Sequence, residues 1–446
     1  MHPQFVQNIK KQLGESESQA LLEALTSDSP TSIRINPNKD YSKTFPLTEK
    51  VAWSSYGYYL EERPIFTLDP LFHAGTYYVQ EASSMFVEQA FRQYVDSPVR
   101  VLDLCAAPGG KSTLLQSILP ENSLLICNEY IRQRAYILNE NVQKWGGENT
   151  IVTNNLPEDF QHLHSYFDVI LVDAPCSGEG MFRKDLNAIS EWSPNNVELC
   201  VERQKKILSS IWSSLAENGI LIYSTCTYNS LEDEGIVDFI CDQLGAEILP
   251  VSIKNEWNIS TENKGYHFYP HKIKGEGFFL SVLRKTTQEN HLKIKPAKRK
   301  NWKPTQEQID AKRFVLNHEQ YSLSEINGIS TLLPNPFVEE IDYLQKYLKI
   351  LHVGIPLGIW KGKNFIPHIA LALSYQLNQK ECESAEIDLT TALSYLKTEN
   401  IFLPQSPKGL ILLTYKKTPI GWVKNLGNRC NSLYPNEWRI RMNIAL

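Results

Sequence analysis

VRVLDLCAAPGGKST, residues 99–113, runs from a short apolar strand through a glycine turn into a helix-forming segment. Gly109 and Gly110 let the backbone approach a ligand closely, and the free N–H groups at a helix start receive an anionic or electron-rich group. A Walker A phosphate loop needs glycine five positions before Gly110, where Cys105 stands, and the dinucleotide pattern G-x-G-x-x-G is absent. Pro108 also withholds an amide that a phosphate cradle would use. Cys105, Ala106, Ala107, Pro108, Gly109, Gly110 and Lys111 therefore read as a loop for a cofactor with no phosphate requirement. The next apolar run, LLICNEY, ends in Glu129. An acid about 20 residues beyond such a loop is where a ribose diol is held, which suits an adenosine-bearing cofactor. The alternative role for Glu129 is a favourable charge at the start of the following helix.

Outward from this stretch, short apolar runs alternate with helical ones between residues 98 and 285. Strands are predicted at 99–104, 124–128, 150–153, 168–172 and 219–224, and helices at 111–119, 131–145 and 198–217. Such alternation implies an α/β fold built on a doubly wound parallel sheet. In such a sheet, residues just beyond the carboxyl ends of the strands carry the chemistry. The fourth and fifth strands each deliver a cysteine to that edge, Cys176 in DAPCSGEGMFRKD and Cys226 in STCTYN. A buried cysteine is ordinarily an inert core residue. Here Cys176 lies between Pro175 and Ser-Gly-Glu-Gly, and Cys226 is bracketed by Ser224, Thr225 and Thr227, so both sit in loops.

Two thiols at a ligand-binding edge suit covalent chemistry. Carbon 5 of cytosine is too weak a nucleophile to attack a methyl sulfonium directly, and a thiolate added to carbon 6 makes it enamine-like. One thiol of the pair is then expected to have a lowered pKa, and a second group nearby to assist product release. Asp173, directly after the fourth strand, is placed either to hydrogen-bond the edge of such a base or to seat the methionine part of the cofactor; a turn-capping role is the alternative. Arg183 and Lys184 extend the same loop as candidate phosphate contacts.

At 446 residues the chain calls for two or three domains, and 42% hydrophobic with 21% charged residues is ordinary for a globular enzyme. The expected boundaries are an N-terminal region at 1–92, the sheet domain at 93–287, a basic linker at 288–310 with Pro296 and Pro304, a helical or mixed region at 311–385 and a small module at 386–446. The eight cysteines include no C-x-x-C and no neighbouring histidine pairs, which argues against a disulfide framework or a metal site. The opening MHPQFVQNIKKQLG has no signal-peptide core, and no apolar run of about 18 residues occurs, so a cytoplasmic location with no membrane partner is expected. Net charge is −5, yet residues 401–446 carry seven Lys or Arg against one acid, a candidate polyanion-facing patch.

The segments SIRINPNK (32–39), AGTYYVQEASSM (74–85), DLCAAPGGKST (103–113), DAPCSGEGMFRKD (173–185) and STCTYN (224–229), in this order, resemble the Nol1/Nop2/Sun family of RNA 5-methylcytosine methyltransferases. Within it the chain is most similar to the bacterial RsmF (YebU) type, over nearly its whole length. The resemblance implies a Rossmann-like class I methyltransferase sheet with an N-terminal RNA-binding region and a C-terminal α+β PUA-like module. It further implies S-adenosyl-L-methionine as cofactor, small-subunit ribosomal RNA as partner, Cys226 as nucleophile and Cys176 as the thiol that assists release. The reverse assignment holds in DNA cytosine methyltransferases, and the residues by themselves do not choose between the two. Relatives carry an acid after the third strand for the adenine amine; Leu156 stands there, leaving Asn154, Asn155 or a backbone carbonyl as candidates. The ending, GWVKNLGNRCNSLYPNEWRIR, combines Lys424, Arg429 and Arg439 with Trp422, Tyr434 and Trp438, a mixture suited to RNA phosphates and bases. Its aromatics are alternatively the core of a small β module. A transfer RNA cytosine methyltransferase and an RNA-binding ribosome assembly factor without chemistry are the competing readings, and nothing in the chain demands more than a monomer.

Overall fold

The computed structural model describes residues 1–40, 42, 45–262, 264–287, 302–362 and 364–442. Its centre is a sheet whose five parallel strands are β1 (Arg100–Asp103), β2 (Leu124–Asn128), β3 (Thr150–Thr153), β4 (Phe167–Asp173) and β5 (Leu215–Thr225), ordered β3-β2-β1-β4-β5. The order reverses between β1 and β4, and a crevice opens at such a switch point. Beyond β5 lie four strands, β6 (Ala246–Leu249), β7 (Phe278–Lys285) and, outside β7, residues 265–268 and 260–262, with β7 antiparallel to both β5 and β6.

Strands buried on both faces must be apolar throughout, and β2 and β3 are buried at every position. On one face Val101, Leu125, Val152 and Val169 pack with Leu114 and Leu115 of helix α1 (Gly110–Ile118) and Leu138 and Val142 of α2 (Arg132–Trp145). On the other, Leu102, Ile126, Ile151 and Ile170 meet Ile207, Leu208 and Ile211 of α3 (Pro194–Ile211).

The five predicted strands and the first two helices are present within a few residues. The third helix differs. It starts earlier, at Pro194 with Ser193 as its cap, and it ends at Ile211, not at Glu217. The apolar spacing of Ile211, Trp212, Leu215 and Ala216 continues a helical stripe, yet a tight turn at Trp212–Ser214 stops the helix and Leu215 pairs with Phe167 as the start of β5. Tertiary pairing overrides the local period here.

The 311–385 region is richer in strands than predicted. It forms an antiparallel sheet from residues 321–326, 329–334, 355–361 and 364–367, and strand β8 (Ile350–Val353) joins the central sheet antiparallel to β3. A further sheet, from 384–386, 409–415, 418–425 and 430–432, closes the C-terminal part. Residues 288–301 of the predicted basic linker lie outside the described residues, and 306–310 form a helical turn capped by Thr305. Among the described residues no helix is long and apolar enough to cross a membrane.

The N-terminal region is a four-stranded sheet whose central strand, Thr31–Ile35, is buried along its length. From it Arg34, with no exposed surface, reaches α1: its guanidinium donates to Gly110 O (3.2 Å), Thr113 O (3.2 Å), Thr113 Oγ1 (2.6 Å) and Gln80 Oε1 (2.8 Å) and stacks on Trp145. One side chain therefore fixes the start of the cofactor-loop helix against the N-terminal sheet. Arg34→Met removes all four of these donated hydrogen bonds and is expected to lower unfolding free energy by about 3 kcal/mol in urea titrations. A loss under roughly 1 kcal/mol would show that the contact does not hold the two units together.

Candidate active site

β1 ends at Asp103 and the chain turns through Cys105–Gly109 into α1. Gly109 has φ +116°, a backbone conformation that only glycine adopts without strain. The loop is braced from α2: Arg134 donates to Ala107 O (2.8 Å) and Asn141 to Pro108 O (2.8 Å). Beneath it, Asp103 is fully buried, accepts from Ser112 Oγ at 2.6 Å and leaves Oδ1 without a partner, and burial lifts its carboxyl to about 7. Burial likewise pushes the Cys105 thiol up, which makes it an inert part of the loop.

Glu129 is 2% exposed and does what its alternative role required: Oε1 accepts from the Ile131 N–H at 2.9 Å, at the head of α2. Oε2 lies 3.4 Å from Arg134. Each asparagine already has one donor on its carboxamide oxygen. Asn154 Oδ1 accepts from Lys349 Nζ (3.2 Å) and Asn155 Oδ1 from Lys349 N (2.9 Å). Leu156 is exposed beside them.

The parallel register of β4 and β5 sets Asp173 opposite Ser224, so the two cysteine loops leave the sheet side by side. Cys176 Sγ and Cys226 Sγ stand 3.2 Å apart. The loops are knitted by Ser177 Oγ to Thr227 Oγ1 (3.0 Å), by Gly180 N–H to Cys226 O (2.9 Å) and by buried Glu179, which accepts from Trp192 Nε1 and Asn229 Nδ2. A Cβ on Gly180 would stand 2.5 Å from Gly277 O and 2.9 Å from Cys226 O, so no larger residue fits between these backbones. The Cys226 hydrogen bond, together with burial, raises Cys176 well above the ordinary thiol range.

Asp173 accepts from Ser224 Oγ at 2.8 Å and is ion-paired to Lys111 Nζ at 2.8 Å. Burial by itself disfavours the Lys111 ammonium, but the Asp173 carboxylate outweighs it and holds the lysine above its usual pKa. A cavity of about 440 Å³ joins these groups: Asp103, Cys105–Pro108, Gly110, Lys111, Asp173 and Cys226 line it from the sheet, and Tyr78, Gln80 and Glu81 from the N-terminal sheet. Cys226 faces this cavity, whereas Cys176 lies against Cys226 and is not among the lining residues. A larger cavity of about 830 Å³, between Gln116, Glu148 and Tyr321, contains none of the predicted site residues.

Not every predicted contact faces outward. Arg183 is turned in, paired with the buried Glu276 at 3.0 Å and donating to Gly275 O, so its cation is spent inside the protein. Lys184 remains exposed on the cavity wall. Lys424, Arg429 and Arg439 are exposed on the C-terminal module; Trp422 and Tyr434 form its core, and Trp438 is half-buried. Reading the sequence missed Asp103, Gln80, Ser224, Gln204 and Glu232. Asp103 and Ser224 were within reach, each lying in or at the end of a strand beside a motif.

A strand order reversing at β1/β4, an antiparallel β7, a glycine loop at the first strand and a thiol pair at the fourth and fifth define a class I methyltransferase fold with a two-cysteine site. The family described as "16S rRNA methyltransferase RsmB/F" matches residues 95–284, "N-terminal domain of 16S rRNA methyltransferase RsmF" matches 1–82 and "Methyltransferase RsmF PUA domain" matches 382–440. The ribosomal RNA small subunit methyltransferase F of Shewanella oneidensis is 29% identical over 98% of this chain and 97% of its own. That of Shewanella sp. W3-18-1 is 31% identical over 81% and 79%. Among solved structures, a methyltransferase homolog protein from Pyrococcus horikoshii superposes with a TM-score of 0.54 at 25% identity, covering 64% of this chain and 95% of that one. The chain belongs to the ribosomal RNA small subunit methyltransferase F family.

The Lys111–Asp173 pair yields a direct check. In Asp173→Asn the carboxylate that supports the ammonium is gone while burial remains, so Lys111 is expected to fall below its ordinary pKa. Site-resolved reductive methylation against pH reads this; an unchanged Lys111 titration would remove Asp173 as its partner.

Proposed function

We propose that the protein transfers a methyl group from S-adenosyl-L-methionine to carbon 5 of a cytosine in small-subunit ribosomal RNA, through a covalent bond between Cys226 and carbon 6. The observation that carries the reading is the thiol pair at 3.2 Å with only Cys226 lining the cavity shared by Lys111 and Asp173. Family membership supports the transfer and its RNA substrate.

The cavity's chemistry suits the cofactor: a glycine turn for close approach, the unpartnered Asp103 Oδ1 for a polar group, and Ala106, Ala107 and Pro108 for apolar contact; Glu129, assigned to the ribose, is not among the lining residues. Bound there, S-adenosyl-L-methionine supplies an electrophilic methyl. The chain's own residues do the rest. Cys226, which shares its cavity with the Lys111 ammonium, attacks as the thiolate. That thiolate adds to carbon 6, and the displaced π pair makes carbon 5 nucleophilic. Asp173, held by Lys111 and Ser224, presents its carboxylate to the edge of the base. After methylation, loss of the carbon 5 proton to a solvent base re-forms the ring double bond and expels the Cys226 thiolate. Cys176, a protonated thiol in contact with that sulfur, donates a hydrogen bond to it as it leaves. Lys184 at the cavity, with Lys424, Arg429 and Arg439 on the C-terminal module, contact RNA phosphates.

Two experiments test this. With labelled cofactor and small-subunit RNA, Cys226→Ala is expected to transfer no label to cytosine. Cys176→Ala should accumulate a denaturant-resistant protein–RNA adduct; transfer by the former, or no adduct with the latter, sinks the respective role. For the RNA surface, replacing Lys424 and Arg439 together with Gln should flatten the slope of log K against log salt by about 2, one unit per lost phosphate contact. An unchanged slope takes the C-terminal module off the contact surface.

A further inference from the structure

Two thiols 3.2 Å apart are chemically alike, and nothing intrinsic decides which sulfur takes the negative charge. Their surroundings differ. Cys226 shares its cavity with Lys111, while the Cys176 loop is tied to a carboxyl. The Ser177 N–H donates to Glu232 Oε2 at 2.9 Å. Gln204 Nε2 donates to the same oxygen at 3.0 Å and to Pro175 O at 3.0 Å, so of the residues flanking Cys176, Ser177 is bound to the carboxyl directly and Pro175 through Gln204. Glu232 is completely buried and held at its own backbone, its N–H bonded to Asn229 O and its carbonyl accepting from Tyr223 Oη at 2.7 Å.

Glutamine would make the same loop contacts without the charge. Glutamate brings a buried carboxyl whose Oε1 has no partner, and among the described residues no cation is paired with it. Glu179, itself acidic, is among the groups that raise it, and the charge of Glu232 is in turn felt by Cys176, Cys200, Tyr223 and Asp233. A charge kept at such disadvantage, one residue from a thiol, points to an electrostatic task.

We propose that Glu232 is a positioning residue that divides the labour of the two thiols: its carboxylate, bound to the Cys176 loop, keeps Cys176 protonated and leaves Cys226 as the sulfur that carries charge. The inference deepens the thiol chemistry proposed above and rests on it. Burial lifts Glu232 to about 7, so it is ionised above that pH, and its charge is one of the influences that raise Cys176, after the Cys226 hydrogen bond and burial.

The test uses the full-length protein without RNA or cofactor, so its outcome is separate from what the enzyme methylates. Limiting iodoacetamide is applied at about pH 8, above the Glu232 value near 7, and alkylation at Cys176 and Cys226 is read by mass spectrometry. Wild type is expected to react at Cys226. In Glu232→Gln the ratio of Cys176 to Cys226 labelling should rise about tenfold, the change in thiolate fraction for one pKa unit. Glu232→Asp keeps the charge and should hold the ratio near wild type, a rescue that a purely structural role does not predict. A wild-type ratio in folded Glu232→Gln overturns the proposal. Should that variant fail to fold by circular dichroism, Glu232→Asp decides: a ratio risen as far as tenfold overturns it, and a wild-type ratio supports it. Failure of the underlying reading shows separately, as methyl transfer by Cys226→Ala.

Discussion

Strands β4 and β5 run parallel with Asp173 opposite Ser224, and a strand slipped by one residue turns every side chain to the other face. That register brings two loops 50 residues apart in sequence to a 3.2 Å contact between sulfurs. It also lets the Ser224 hydroxyl orient Asp173, which in turn engages Lys111 from the β1 loop. Three strand ends thereby contribute to one cavity. Elements outside the sheet serve this arrangement. The N-terminal helix, broken at Gly14, lays Phe5 and Leu21 against Phe182, Trp192 and Tyr228, behind the cysteine loops, and Arg34 clamps the helix that the cofactor loop enters.

The C-terminal part is likewise built into the sheet. An exposed edge strand presents unpaired N–H and C=O groups, and β8 covers that edge at β3. The same segment sends Lys349 to Asn154 and Asn155, so the edge cover also ties down the loop after β3.

Much of this was legible in the sequence because it is local. Continuous apolar runs marked β2 and β3, the glycine pair marked the turn into α1, and Pro-Cys and Thr-Cys after strands marked the two loops. What was not legible depends on pairing. The end of α3 followed a helical stripe that the Phe167–Leu215 pairing cuts short. Arg183 reads as a surface cation, and only its distant partner Glu276 turns it inward. Glu232 looks like one acid in the solvated run Glu-Asp-Glu, yet it and Asp233 are wholly buried. Charge composition cannot foretell burial of that kind.

The distribution of unmet polar atoms extends the point. Asp103 Oδ1, Glu232 Oε1 and Asp233 Oδ2 are buried without partners, and all three lie at the carboxyl ends of β1 and β5 or in the loop just beyond. Asp103 and Glu232 are both lifted to about 7 by burial, so the folded chain holds protons that the unfolded chain would release. Their favourable share is therefore full below the ordinary carboxyl range and lost as pH rises through about 7, opposite to what a surface ion pair contributes. A chain selected for stability alone would place amides or apolar groups there. Carboxyls retained at these strand ends, near a lysine and two thiols, are held there against the cost of burial, and the sheet's large apolar core is what lets the fold tolerate them.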